Sequence, residues 1–172
     1  VTREIKPRSI IATATKCVDL DEGIKVIGER INPTGKKKLK EALINNNMEY
    51  ILREAVTQKE KGADILDVNV GLPEINESEV ITGVVKEIQS IIDLPLQIDS
   101  SDAGAIEAAL RIYNGKAIIN SVNGKAEIMD TIFKIARKYG ACVVGLTLDE
   151  NGMPSSAEER FKIAEKIANT AE

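Results

Sequence analysis

The sequence predicts a parallel α/β fold, and three observations carry that prediction. Short apolar runs alternate with helical patterns five times. Several of those runs stop at a carboxylate or an amide, as at Asp67, Asp99 and Asn120. The fifth run, Cys142-Val143-Val144, is apolar throughout, which is how a strand buried on both faces reads. Repeated β-then-α units imply right-handed crossovers and one parallel sheet. Two architectures accommodate them. An open five-stranded sheet of flavodoxin type suits the 172-residue length well. A TIM (β/α)8 barrel takes about 250 residues, so this chain would hold about its first five units.

The elements follow in order. Residues 1–22 stand outside the repeat and read as a linker or a cover segment across one end of the domain. Residues 23–172 read as the domain itself. Ser9 to Thr15 holds one short strand, with Pro7 favouring an extended approach. Asp19 to Gly23 is a turn. The first strand of the repeat spans about Lys25 to Gly28, and Asn32-Pro33-Thr34-Gly35 marks the loop after it. A helical pattern runs from Lys37 to Ile44. Asn45-Asn46-Asn47 interrupts it and caps a helix from Met48 to Lys61, which Gly62 ends.

The second strand is Asp64 to Val70. Asn76 with Glu79 forms a capping box before a helix that buries Val80, Ile81, Val84, Val85, Ile88 and Ile92. Leu96 to Ile98 is the third strand, and Ser100 or Ser101 caps the helix from Asp102 to Ile112. The fourth strand is Lys116 to Ile119, followed by the Asn123-Gly124 turn and a helix from Lys125 to Tyr139 closed by Gly140. The fifth is Ala141 to Leu148, then the turn Asp149 to Gly152. Ser155 with Glu158 forms a further capping box for a helix carrying Phe161, Ile163 and Ile167.

Composition narrows the function classes. A net charge of −4 argues against an electrostatic grip on nucleic acid. The run Lys36-Lys37-Lys38 reads as a solvated loop and helix start. Cys17 and Cys142 show neither a disulfide framework nor zinc spacing, and no metal site is expected. With no histidine, acid–base chemistry must come from carboxylates, lysine, tyrosine, amides or water. No apolar run nears the length of a membrane span and no signal peptide is visible, so a cytoplasmic protein is expected. The first residue is Val rather than Met, which suggests a piece of a longer chain.

The strand tips carry the candidate chemistry. In parallel α/β folds ligands bind at the carboxyl ends of strands. Asp67, Asn69, Asp99, Asn120 and Ser121 stand there. An ionised Asp accepts two parallel N–H bonds, and an Asn both accepts and donates. Such a set matches the edge of a flat heterocycle such as a pterin. Each residue alone also fits a turn or a helix cap; the same habit at four strand ends weighs against coincidence. Glu29 and Arg30 point to opposite sides if both are in strand geometry, one toward the site and one toward a structural ion pair. No Gly-rich phosphate loop follows any strand.

These stretches resemble the pterin-binding methyltransferase family. It includes the folate-binding domain of cobalamin-dependent methionine synthase and the methyltetrahydrofolate:corrinoid methyltransferases. The matching pieces are Gly28-Glu29-Arg30-Ile31-Asn32, Asp67-Val68-Asn69-Val70-Gly71, Leu96-Gln97-Ile98-Asp99-Ser100 and Ile119-Asn120-Ser121. Gly145-Leu146-Thr147 with Gly152-Met153-Pro154 is similar to the family's fifth strand and loop, and residues 6–18 to the connector before this domain. The likeness runs from about Ile24 to the C-terminus. The family fold is the TIM barrel, which decides between the two architectures.

The resemblance implies that the chain binds methyltetrahydrofolate and passes its N5 methyl group to a corrinoid (cob(I)alamin) cofactor. That cofactor would be carried by another domain or subunit. It implies Asp67, Asn69, Asp99 and Asn120 as pterin ligands, with Glu29 and Ser121 beside them. No catalytic residue is certain, and Asp99 and Asn120 are candidates for a proton network around N5. The family's later strands supply a further aspartate and asparagine that this chain lacks. Complete activity of the piece is therefore in question, and an open sheet edge is implied. The rest of the barrel, or a second copy, would cover it. A non-catalytic pterin-binding fragment and a dihydropteroate synthase-like enzyme are the alternatives; Glu29-Arg30-Ile31-Asn32-Pro33 fits the methyl-transfer branch better.

Overall fold

The computed structural model describes residues 8–171. The approach expected at Pro7 lies outside them. Two strands, β1 (Ile10–Ala12) and β2 (Cys17–Asp19), pair antiparallel as a hairpin. The remaining elements are β3 (Ile27–Ile31), α1 (Lys37–Ile44), α2 (Met48–Glu60), β4 (Ile65–Val68), α3 (Glu77–Ile91), β5 (Leu96–Asp99), α4 (Ala103–Ile112), β6 (Ile118–Asn123), α5 (Ala126–Tyr139), β7 (Cys142–Leu146) and α6 (Ala157–Ala171). The five long-range strands form one sheet in the order β3-β4-β5-β6-β7, every pair parallel.

That order separates the two architectures. An open doubly wound sheet reverses its order at a switch point, which puts helices on both faces. Here the strands follow the chain without reversal, and right-handed crossovers then place every helix on one side. The other side becomes the inner wall of a barrel, of which the chain forms five β/α units.

Alternation along the strands divides the apolar side chains between two cores. Leu66, Val68, Leu96, Ile98 and Ile119 face the helices and pack against Ile81, Val84, Val85, Ile88, Ile106 and Ala109. Ile65 and Ile118 face the inside near the strand starts, where Ile11 and Val18 of the hairpin cover them, with Leu20 and Cys142 alongside. The hairpin is fastened to the sheet. Ala12 exchanges backbone hydrogen bonds with Lys116, each 2.9 Å, and Tyr113 donates its hydroxyl to the Ala12 carbonyl at 3.0 Å.

Several local expectations shift. The first strand of the repeat starts later and runs through Glu29 and Arg30 to Ile31, because pairing with β4 continues past an irregularity between Gly28 and Ile31. Likewise β6 extends through Asn120 and Ser121 to Asn123. The cap of α4 is Asp102, whose carboxylate accepts from the Gly104 N–H at 2.8 Å; Ser100 in turn accepts from the Asp102 N–H at 2.9 Å. The last capping box is one residue further on. Ser156 accepts from the Glu159 N–H, and Glu159 accepts from the N–H groups of Ser155 and Ser156. Asn47 and Asn76 cap α2 and α3 as expected, and Gly140 closes α5 in the left-handed conformation at φ 69°.

The fifth strand of the repeat is not buried on both faces. Val144 and Leu146 remain 36% and 46% exposed, because β7 has a sheet neighbour on one side only among the described residues. Ile27 of β3, at the opposite edge, is likewise 42% exposed. No described helix is long and apolar enough to cross a membrane.

Candidate functional site

Sheet register builds the site. Asp67 of β4 stands opposite Gln97 of β5, and Asp99 of β5 opposite Asn120 of β6. Because side chains alternate, all four point to the inner side, near the carboxyl tips of their strands. Ile27 and Glu29 reach the same space from β3. These six residues line a cavity of about 240 Å³ at the barrel mouth. Below it the inner side turns apolar, so the cup has polar walls and a greasy floor closed by the hairpin.

Glu29 and Arg30 diverge as strand geometry requires. Glu29 turns into the cup and accepts from Asn32 Nδ2 at 3.1 Å. Arg30 turns out toward α2, with its Nε 3.5 Å from Glu54 Oε2, and its backbone N–H donates to Gln58 Oε1 at 2.7 Å. Gly28 is what lets α2 come this close. A Cβ there would stand 2.6 Å from Gln58 Oε1. The loop after β3 is then pinned by Lys36, whose ammonium donates to the carbonyls of Glu29 and Asn32 at 3.0 and 3.1 Å.

Asp67 sits deepest, at 1% exposure. Gln97 Nε2 donates to its Oδ1 at 2.6 Å. Its Oδ2 and the Oε1 of Gln97 are buried and have no hydrogen-bond partner among the described residues. Burial pushes the Asp67 carboxyl up to about 6 from 3.8. Asp99 and Glu29 nearby add to the rise, while the amides of Gln97 and Asn120 oppose it. The wall of the cup is thus rich in acceptors and short of donors. It suits a ligand edge that carries N–H groups.

Of the residues singled out from sequence, Glu29, Asp67, Asp99 and Asn120 come together in this cavity. Asn69 and Ser121 do not line it. Asn69 folds back instead, its Oδ1 accepting from the Gly71 N–H at 2.9 Å, which closes the loop after β4. Gln97 is the member that the sequence reading missed. It stands in mid-strand rather than at a tip. Its signal was a polar residue between Leu96 and Ile98 with the same parity as Asp99. A second polar contact lies at the mouth, where the Ser100 hydroxyl donates to Glu77 Oε1.

A larger cavity, about 810 Å³, lies on the outer side of β7 between α5 and α6. Its lining is mostly apolar, including Phe133, Val143 and Ile167, with Arg137 as its lone charged side chain. Size favours that groove, but chemistry favours the smaller cup, where the acids and amides converge. No group of three or more His, Cys, Asp or Glu among the described residues is placed to hold a metal ion.

Comparison with known proteins bears on the family and the fold. A sequence model of the family described as pterin binding enzyme matches residues 28–171. Methionine synthase of Mycobacterium tuberculosis is 30% identical over 154 residues, covering 87% of this chain and 13% of that protein. Methionine synthase of Mycobacterium leprae is 30% identical over 151 residues, covering 85% of this chain and 12% of that protein. The chain therefore spans only a small part of the curated relatives it matches. Among solved structures, 7,8-dihydropteroate synthase from Vibrio fischeri superposes with a TM-score of 0.60 at 18% identity, over 95% of this chain and 61% of that one. Dihydropteroate synthase from Xanthomonas albilineans gives 0.55 at 20% identity, over 96% and 60%. At such identities these two likenesses speak for the fold.

Proposed function

Since this chain belongs to the family of pterin binding enzymes, we propose that its cup holds the pterin ring of methyltetrahydrofolate and presents the N5 methyl group to a corrinoid, as part of a methionine-synthase-like system. The observation that carries this reading is the convergence of Glu29, Asp67, Asp99 and Asn120, with Gln97, on one cavity at the strand tips. The ring fits this set of acceptors. A 2-amino-4-oxo pyrimidine edge offers adjacent N–H groups, and the wall contains two buried acceptors without partners. A carboxylate accepting such N–H groups forms charge-assisted bonds, which fix a flat ring in one plane.

Methyl transfer needs a better leaving group than a bare tertiary amine at N5. A proton taken up at N5 from water lets it leave as a neutral amine, and the acceptors of Asp99 and Asn120 favour that protonated N5 through a network completed by water. Holding the ring with its methyl group toward the mouth supplies orientation. The corrinoid, carried by another domain or subunit, supplies the cobalt nucleophile. The methionine synthase relatives are far longer than this chain, which leaves room for such a domain in the intact protein. Sequence identity favours this branch over dihydropteroate synthesis, being 30% to the methionine synthases and 18–20% to the synthases that share the fold.

Two measurements test the reading. Calorimetry with methyltetrahydrofolate should register binding that a corresponding non-pterin heterocycle fails to match. A spectroscopic assay with free cob(I)alamin should register methylation. Pterin binding without methyl transfer reduces the chain to a binding module. Absence of pterin binding removes the proposal.

A further inference from the structure

Gln97 is a buried polar residue in a strand that otherwise packs as core. It is 6% exposed, between Leu96 and Ile98 at 0%. An apolar residue there would fill the same space without leaving its Oε1 unpartnered. What the amide does is specific: it donates to Asp67 Oδ1 at 2.6 Å, across paired strands in direct register. We propose that Gln97 is a positioning residue for Asp67, its amide holding that carboxylate in one orientation and in its charged form at the bottom of the cup.

The surroundings explain why such a holder is needed. The charged groups that face Asp67 are Asp99 from β5 and Glu29 from β3, both acids; from β6 comes only the neutral amide of Asn120. The neighbours of Asp67 on its own strand, Leu66 and Val68, are apolar and fully buried. Everything except the two amides therefore favours the protonated acid. Of those amides, Gln97 is the stronger influence, and it makes the short bond. Without it the carboxyl would take up a proton closer to neutral pH and would be free to rotate. A protonated, mobile Asp67 is a poor acceptor for a ligand N–H.

The effect on Asp67 stands on the geometry alone, while its consequence for ligand binding rests on the pterin reading. The experiment keeps the two apart. The Asp67 side-chain carboxyl is followed by carbon-13 NMR across pH, its resonance assigned with Asp67→Asn. In Gln97→Met, which keeps length and volume but donates nothing, the titration midpoint should rise from about 6 by about one unit or more. In Gln97→Leu, which also removes the donor, it should rise as well, so a folding failure in one variant leaves the other to decide. A midpoint that stays or falls overturns the proposal. In parallel, pterin binding is measured by calorimetry from pH 5 to 9, and the acid limb of the affinity profile should move up with the midpoint. A moved midpoint with no pterin binding at any pH, in variant or parent, rejects the pterin reading and leaves the positioning role intact.

Discussion

Asp67 shows what a ligand-gripping acid costs at the scale of one residue. Its proton affinity is raised in the folded state, to about 6 against 3.8. A raised carboxyl means that the native state binds the proton more tightly than the unfolded chain. Stability therefore falls as pH rises from about 4 to about 6 and stays lower above that. A shift of roughly two units corresponds to roughly 3 kcal/mol as an upper figure. Asp67→Asn removes the charge yet keeps an acceptor for Gln97, so it should raise the melting temperature at pH 7. The gain should shrink toward zero by pH 4. Calorimetric melts across that range check it, and the same variant should lose pterin affinity. Asp99→Asn should weaken pterin binding by roughly 1.5–3 kcal/mol, since a charge-assisted acceptor becomes a neutral amide. Titration calorimetry reads that directly, and an unchanged Kd would strip Asp99 of the role. The legible part of the site was the part at strand ends. Asp67, Asp99 and Asn120 stop apolar runs and are visible by eye. Asn69 does the same, yet the backbone of Gly71 uses its side chain, and nothing in the order of residues tells these outcomes apart. Gln97 acts across strands, and only the register pairs it with Asp67.

At the scale of the element, β3 and α2 are set against each other by a missing side chain. Gly28 lets α2 approach until Gln58 Oε1 accepts the Arg30 N–H at 2.7 Å. Gly28→Ala pushes Gln58 off that bond and leaves a partly buried N–H without its acceptor. The expected cost is about 1–3 kcal/mol, measured by urea unfolding. Because Glu29 lies between Gly28 and Arg30, the same change should also lower pterin affinity. That combined loss separates it from a substitution that only loosens packing. The helices and strands themselves were legible, since each rests on local periodicity and capping. Strand limits were less so. Glu29 to Ile31 and Asn120 to Asn123 read as loop because they are polar or follow a polar residue, whereas pairing with a neighbouring strand carries the extended backbone onward. The hairpin of residues 10–19 was half legible. Its first strand is apolar, but Cys17-Val18-Asp19 takes strand form through its partner and through the inner floor that Val18 covers.

At the scale of the whole molecule the sheet is a wall with two free margins. Each outer strand is paired on one side among the described residues, and alternate side chains at both margins are apolar and exposed: Ile27 at β3, Val144 and Leu146 at β7. The likeness in fold to proteins of which this chain covers about three fifths fits that picture. Free margins of a parallel sheet carry unpaired N–H and C=O groups beside apolar surface, which makes them templates for association. The 172-residue chain on its own should therefore self-associate with rising concentration. Sedimentation velocity at increasing loading should show mass above that of one chain. Val144→Lys together with Leu146→Glu places charge on the exposed margin of β7, where Val144 stands opposite Asn120 and so beside the cup. It should shift the distribution toward the single chain. If the parent chain sediments as a well-folded monomer at all concentrations, the margins are quiet and association plays no part in covering them.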